Sequence, residues 1–411
     1  MAYSSGGLIQ AADYNGFVST NAGANVNIVW GTGATSSGYG QTDVATVSAT
    51  GASGSIASVT IASGGVLTVS SGSYAVGQQI VVTGTFSAGS ITGYTSGTSY
   101  YIIAVASATS ITISATPSGS AVSSTAGVAT PGATFTVIAG SIVTATQWAT
   151  LVNTITNMAA HSGTTITSRT APVTGNTISI LANVATDLTN CYNNRGNAAS
   201  NGTQFTGWTG TNSKTAATSG ATWTITFTNT VTFASANAAR YFFNAGGRIK
   251  LDVAKSSTGA TGDPEWNDLA TTLCGDIYFT GGAYTQTIVG TAYTGTTKVG
   301  GTGTPNTLTT TTGYFDLTPG GAATIIYKQF ADTVPYTANF IQHSVALNAG
   351  STILTFTTLW SASDGDPITG GTAASGATPG TAACTVCTYF PPESTYLTNS
   401  WGTPTVAATT V

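Results

Sequence analysis

The sequence predicts a mainly β fold with a few helices, an α+β chain. It divides into an antiparallel β-sandwich in the C-terminal region, a small inserted β-domain and a short helical segment between them. Three observations predict this. Short runs rich in Thr and Val, the residue types that suit a pleated and half-buried surface, recur along the chain between Gly and Ser clusters. Charge is scarce, with 9 Lys+Arg and 13 Asp+Glu in 411 residues, or 5%, where about 25% is ordinary for a soluble domain. The 3.6-residue apolar period of an amphipathic helix is confined to a few short stretches.

The same composition excludes other classes. With 41% hydrophobic residues and a net charge of −4, the chain is neither polar enough nor charged enough for disorder. It has no apolar run of the roughly 18 residues that a spanning helix needs, so membrane insertion is not expected. Its glycines do not fall at every third position, as collagen would demand. Nucleic acid is not an expected partner either. The densest basic group is Arg240, Arg248, Lys250 and Lys255, too thin to displace a track of counterions. The opening MAYSSGGLIQAADYNGF lacks the basic and apolar regions of a secretory signal. A surface of Thr, Ser, Asn and Gly carries little self-repulsion and suits a protein meant to associate.

Four segments follow from the change of texture along the chain. Residues 1–44 form an N-terminal helix and loop that pack with 136–200. There Asp13 is the candidate cap, with Tyr14, Phe17 and Val18 on one face. Residues 45–135 form an inserted sandwich or barrel module, with strands expected at Ser58–Ile61, Val66–Val69, Gln79–Thr83, Tyr100–Val105 and Ser110–Ser114. Residues 136–220 are helical. Trp148, Leu151, Val152, Ile155, Met158 and Ala159 make one stripe behind a cap at Thr144 or Thr146, and Leu181, Val184, Leu188, Cys191 and Tyr192 make a second. The opposite faces carry Thr and Asn in place of Lys and Glu, which suggests helices held by neighbours, in this chain or in other subunits.

Residues 221–411 form the β-sandwich. Thr222–Thr228 alternates apolar residues with Thr, and Val231–Phe233, Tyr241–Phe243, Arg248–Val253, Asp276–Phe279, Ala323–Phe330, Phe340–Leu347 and Ser351–Thr358 are further strands. Gly246-Gly247 reads as a turn or bulge between paired strands. Asp263-Pro264-Glu265 opens a helix to about Cys274, with Asp263 as cap and Pro264 in the first turn.

Few residues offer chemistry. The acids Asp263, Glu265, Asp268 and Asp276 are the best candidate group, but the helix start already accounts for Asp263 and Glu265. Opposed carboxylates or a converging oxygen cage would have to be shown separately. Asp364-Gly365-Asp366-Pro367 reads as a turn. Cys384 and Cys387 form a lone CxxC, open to three readings: buried thiols, a local disulfide, or zinc. The glycines of 31–33 and 38–40 lack the lysine of a phosphate loop. His161 and His343 stand without a nucleophile motif. No catalytic, metal-binding or cofactor-binding residue is assigned, no cofactor is expected, and the chain is not expected to be an enzyme.

DYN at 13–15, GYGQ at 38–41, TATQW at 144–148, ARYFFNAGGRI at 239–249 and the helix bearing Trp266 together resemble virion structural proteins of large tailed phages, especially cyanophages. In that family GYGQ is followed closely by a stretch like VIAGSIVTATQW, which stands here at 137–148. The resemblance therefore implies that 45–135 is an insertion. Residues 76–105 of it look like a β-module recurrent in tail and fibre proteins. The match covers most of the chain outside 45–135 and brings no catalytic residues with it. It implies a virion location, with synthesis and assembly in the host cytoplasm. The leading expectation is a tail-associated protein (fibre, baseplate or neck appendage). It would act as a homo-oligomer, a trimer by preference, among other virion proteins, with a host surface glycan as a further candidate partner. A capsid-decorating protein and a carbohydrate-binding or depolymerising tail spike are the alternatives.

Overall fold

A computed structural model describes residues 14–20, 24–31, 38–41, 44, 54–56, 59–62, 64–74, 76–84, 93–116, 119–123, 127–128, 133–137, 143, 145–173, 183–197, 210–215, 222–256, 263–288, 291–363, 368–369, 372–373, 381–389, 396–397, 402 and 404–410. The fold is mainly β, with antiparallel sheets and few helices. The chain forms two compact units. One comprises residues 1–26, 43–154 and 167–186, the other 27–42, 155–166 and 187–411.

The first unit contains an eight-stranded sheet drawn wholly from residues 54–137. Its strands are β1 (Gly54–Ser55), β2 (Val59–Ile61), β3 (Val66–Val69), β4 (Gln79–Gly84), β5 (Ser99–Ser107), β6 (Ser110–Ser114), β7 (Gly127–Val128) and β8 (Ala133–Val137). Their order across the sheet is β1-β8-β4-β5-β6-β3-β2-β7. Alternation sets which face is covered: Val59, Ile61, Leu67 and Val69 on one side of the order and Ile80, Val82, Phe135 and Val137 on the other are all buried. They belong to a single apolar cluster, so the sheet must curl until its two halves share one core.

The same unit holds a short helical turn at Tyr14 and Asn15 that continues as a π-helical turn, Gly16–Thr20. Asp13, the expected cap, lies outside the described residues. Helix α1 (Val26–Val29) follows, and all but its first residue belong to the second unit. Helix α2 (Ala145–Ser162) begins within the first unit, and the Trp148 ring meets Tyr14 edge-on at 5.2 Å and Phe17 at 6.4 Å. Thr146 is inside the helix and so is not its cap; Thr144 lies outside the described residues. Trp148, Leu151, Val152, Ile155, Met158 and Ala159 are all at most 4% exposed. The apolar stripe of α2 is thus covered by this chain itself and leaves nothing there for a second subunit. Thr154, on the face opposite the stripe, is buried as well.

The second unit is a β-sandwich. Its strands are β9 (Gly210–Thr215), β10 (Trp223–Thr232), β11 (Arg248–Ser256), β12 (Asp276–Phe279), β13 (Thr285–Ile288), β14 (Thr291–Thr294), β15 (Thr297–Val299), β16 (Thr307–Leu308) and β17 (Thr324–Phe330). After these come β18 (Phe340–Leu347), β19 (Ile353–Ala362), β20 (Ile368–Thr369), β21 (Thr372–Ala373), β22 (Thr381–Tyr389) and β23 (Thr405–Thr410). One sheet has the order β16-β17-β18-β19-β10-β23, the other β15-β12-β11-β22-β9, while β13-β14 and β20-β21 are separate hairpins. Strands β10 and β19 pair along their full length, Ile225 opposite Trp360 and Val231 opposite Leu354. Their buried faces meet the other sheet: Phe279 of β12 contacts Phe356 of β19 edge-on at 5.4 Å.

Two motifs that look like signatures prove to be architecture. Tyr241–Phe243, expected as a strand on its aromatic content, lies in helix α4 (Ala236–Asn244). Ser235 caps this helix, its Oγ accepting from the Ala238 N–H at 3.0 Å. At the other end Gly246 N–H donates to Phe243 O and Gly247 N–H to Phe242 O, the paired closing bonds of a Schellman motif. Gly246 has φ +87°, and a Cβ at Gly247 would come within 2.5 Å of Phe242 O. The two glycines therefore end a helix and start β11, and do not join paired strands. Phe242 and Phe243 are fully buried, and Phe243 stacks on Tyr314 at 4.7 Å.

GYGQ is equally structural. The N–H groups of Tyr39, Gly40 and Gln41 donate to the carbonyls of Val29, Gly31 and Trp30. Gly38 has φ +98°, and a Cβ there would lie 2.3 Å from Gly31 O. Tyr39 is fully buried, against Trp30 at 6.2 Å and His161 at 5.0 Å. With the amides of residues 39–41 committed to carbonyls, these three are not available to a phosphate.

Candidate functional site

Helix α3 (Val184–Asn193) brings Cys191 under a carboxylate one turn earlier, Asp187, and both are buried. Leu181, expected on the same stripe, lies outside the described residues. Burial first, and Asp187 second, push the Cys191 thiol up to about 12. Arg195 then stacks over the Tyr192 ring at 4.0 Å and its carbonyl accepts from the Tyr39 hydroxyl at 3.0 Å. A thiol held protonated in this way is not a nucleophile at neutral pH.

The candidate acids do not converge. Helix α5 (Asp263–Asn267) continues as a π-helical turn, Asp268–Leu273. Glu265 is 5% exposed and accepts from Asn339 Nδ2 at 3.4 Å. Trp266 beside it is fully buried between Trp223, at 5.0 Å, and Trp360, at 5.7 Å. Asp276 is turned to Lys250, 2.9 Å away, which also lies 3.6 Å from Asp252. Burial raises the Asp252 pKa, its neighbour Asp276 adds to the rise, and Lys250 opposes it. The side chain of Asp263 lies outside the described residues, as do Asp364 and Asp366. Among the described residues no three His, Cys, Asp or Glu side chains gather as a metal site would require.

Two of the basic residues, Arg248 and Lys250, are likewise spent internally. Arg248 is 9% exposed and donates from Nη1 to Thr287 O at 3.0 Å, and Lys250 holds the two carboxylates.

One constellation does unite a histidine, a hydroxyl and a thiol. On the inward positions of β18, β19 and β22, His343 Nδ1 lies 2.8 Å from Thr358 Oγ1, which lies 3.1 Å from Cys384 Sγ. From β10, Asn229 Nδ2 donates to the same sulfur at 3.8 Å. Each of these four side chains is at most 1% exposed. The ring of His343 stacks on Tyr327 at 5.5 Å, and burial drives its pKa down to about 3. No substrate can reach the group, and a neutral histidine without a carboxylate partner does not ionise a thiol. Its role is to satisfy polar atoms between two sheets. Cys384 is a buried thiol outside any disulfide; the side chain of Cys387 is not among those described. Cys274 is a third buried thiol, pushed up to about 12 by burial against weaker opposing effects from Tyr327 and Lys298.

A cleft of about 700 Å3 in the sandwich unit is open to solvent, lined by Leu273, 302–304, Asn306, 329–332 and Thr337. Its rim loop is fixed at both ends. Thr302 N–H donates to Thr272 O at 2.8 Å and Gly303 N–H to Leu273 O at 3.1 Å. Asn306 N–H donates to Lys328 O at 2.8 Å, and Asn306 Oδ1 accepts from Phe330 N–H at 3.3 Å. Sequence reasoning missed this cleft, because its lining comes from three separated segments, none of which carries a distinctive pattern on its own. The His343 group, by contrast, had a signal: polar residues at inward phases of otherwise apolar strands.

Among the described residues no helix is long and apolar enough to cross a membrane. In comparisons with protein families, curated proteins and solved structures, the chain matches none.

Proposed function

We propose that this chain is a structural component of a tailed-phage virion, tail-associated as part of a fibre, baseplate or neck appendage. It works in assembly as a homo-oligomer, a trimer by preference, among other virion proteins, and it is not an enzyme. The observation that carries the reading is the near absence of charge on surfaces that ordinarily hold it. The exposed positions of α2 include Asn153 and Thr156, and those of α3 include Thr186, Thr189 and Asn193. Asp187, Arg248 and Glu265, from an already small set of charges, are buried. Depletion of Lys, Glu and Asp marks surfaces that a partner covers. The segment 239–249, one of the stretches that carry the phage resemblance, is built into the core of the sandwich unit, so the likeness concerns architecture. An antibody against the chain tests the placement by electron microscopy of purified particles. Label on the tail supports the reading, label spread over the shell would favour a capsid-decorating role, and unlabelled particles would overturn both.

A further inference from the structure

We propose that the cleft between the 302–306 loop and the end of β17 binds a neutral saccharide. Its accessible side chains are hydroxyl, amide and carboxylate groups, on Thr302, Thr304, Asn306, Thr337 and Asp332, all exposed. Leu273, Phe330 and Ala331 give it an apolar floor. A saccharide presents the same mixture, hydroxyls around apolar ring faces.

Charge decides against the other ligand classes. Asp332 is the sole charged side chain in the lining, and it would repel an anion. The nearest cations are engaged: Lys298 Nζ donates to Gly303 O, and Lys328 Nζ lies over the Phe340 and Phe330 rings at 3.7 and 4.5 Å. A single carboxylate is too little for a calcium ion, which takes 6–8 oxygens, about. Asp332 Oδ1 accepts from Thr333 Oγ1 at 3.3 Å, which leaves the other carboxylate oxygen to receive a ligand hydroxyl.

Gln329 braces the wall from behind, its Oε1 shut off from solvent. Gln329 is 4% exposed, and its Nε2 donates to Phe330 O at 2.9 Å. Among the described residues its Oε1 has no hydrogen-bond partner. Gly303 lies flat against this amide, where a Cβ would come within 2.8–2.9 Å of its three terminal atoms. The loop and the amide are thus fitted to each other, and a site held this rigidly loses little entropy on binding.

The test is saturation-transfer NMR on the full chain with lactose, maltose and chitobiose at millimolar concentration, with 3′-sialyllactose as the charged comparison. Transfer to at least one neutral sugar is expected. It should weaken fivefold or more in Thr304→Trp, which fills the mouth from an exposed position, and also fall in Asp332→Ala. If Thr304→Trp does not fold, Thr337→Trp blocks the same opening. Absence of transfer from every neutral sugar would overturn the proposal. So would transfer that survives both tryptophans, or transfer confined to the sialylated sugar. The inference does not rest on the virion reading, since the oligomeric state of these variants is measured separately.

Discussion

Acid should unfold the sandwich unit through His343. Its imidazole lies between two sheets, bonded to the Thr358 hydroxyl and stacked on Tyr327, with a pKa lowered by burial from 6.5 to about 3. The unfolded chain accepts a proton at about 6.5, which the folded chain refuses until about 3. Stability is therefore complete above the unfolded value and is lost as the pH falls through this window. The loss approaches about 1.4 kcal/mol per pH unit, and the window is worth on the order of 4–5 kcal/mol. That is a large share of a typical 5–15 kcal/mol, about. Asp252 works in the opposite sense: its raised pKa means the folded carboxyl holds its proton better, so acid stabilises it. Urea unfolding of wild type and His343→Gln at pH 8, 6, 5 and 4 isolates the histidine. The wild type should lose stability more steeply than the variant between pH 6 and 4. Parallel curves, or an NMR titration of His343 near 6.5 in the folded protein, would refute the reasoning.

Four further outcomes follow from the packing. Ser235→Ala should cost about 1 kcal/mol in thermal or urea unfolding, since it strips the cap from α4. Gly247→Ala should cost more, because its Cβ would meet backbone that cannot give way. Leu151→Ala should lower stability by about 2–5 kcal/mol with no change in oligomeric state, because the residue is buried within the chain; dissociation without destabilisation would contradict the fold. A fragment spanning 52–138 should unfold cooperatively and give dispersed amide signals, since its strands share one apolar cluster. A featureless spectrum would show that its core depends on the rest of the chain.

The elements legible in the sequence were those whose pattern is local. Val66–Val69, Ser110–Ser114, Asp276–Phe279 and Phe340–Leu347 match the strands found, because alternation and flanking turns specify a strand without knowledge of its partner. Trp223–Thr232 was seen in two pieces, since Asn229 breaks the apolar phase; the residue is inward all the same, facing the Cys384 sulfur. The failure at Tyr241–Phe243 is one of propensity. Aromatic residues favour strands, but a capping serine before Ala236 and a Gly pair after Ala245 outweigh that preference. Strands β9, β22 and β23 escaped because Thr, Ala and Ser alternate there with too little contrast in hydrophobicity to reveal a face. The acids were legible as a sequence cluster and misleading as a site, since pairing with Lys250 and Asn339 depends on strands far away in the chain.

The central claim is assembly, and mass in solution tests it most directly. Multi-angle light scattering of the purified chain at micromolar concentration, in 0.15 M and 1 M NaCl, about, reads the oligomer without a label. A charge-poor interface owes little to ion pairs, so one defined oligomer, a trimer by preference, should persist unchanged at both salt concentrations. A single species at the chain mass of 40.9 kDa in both buffers would contradict the account.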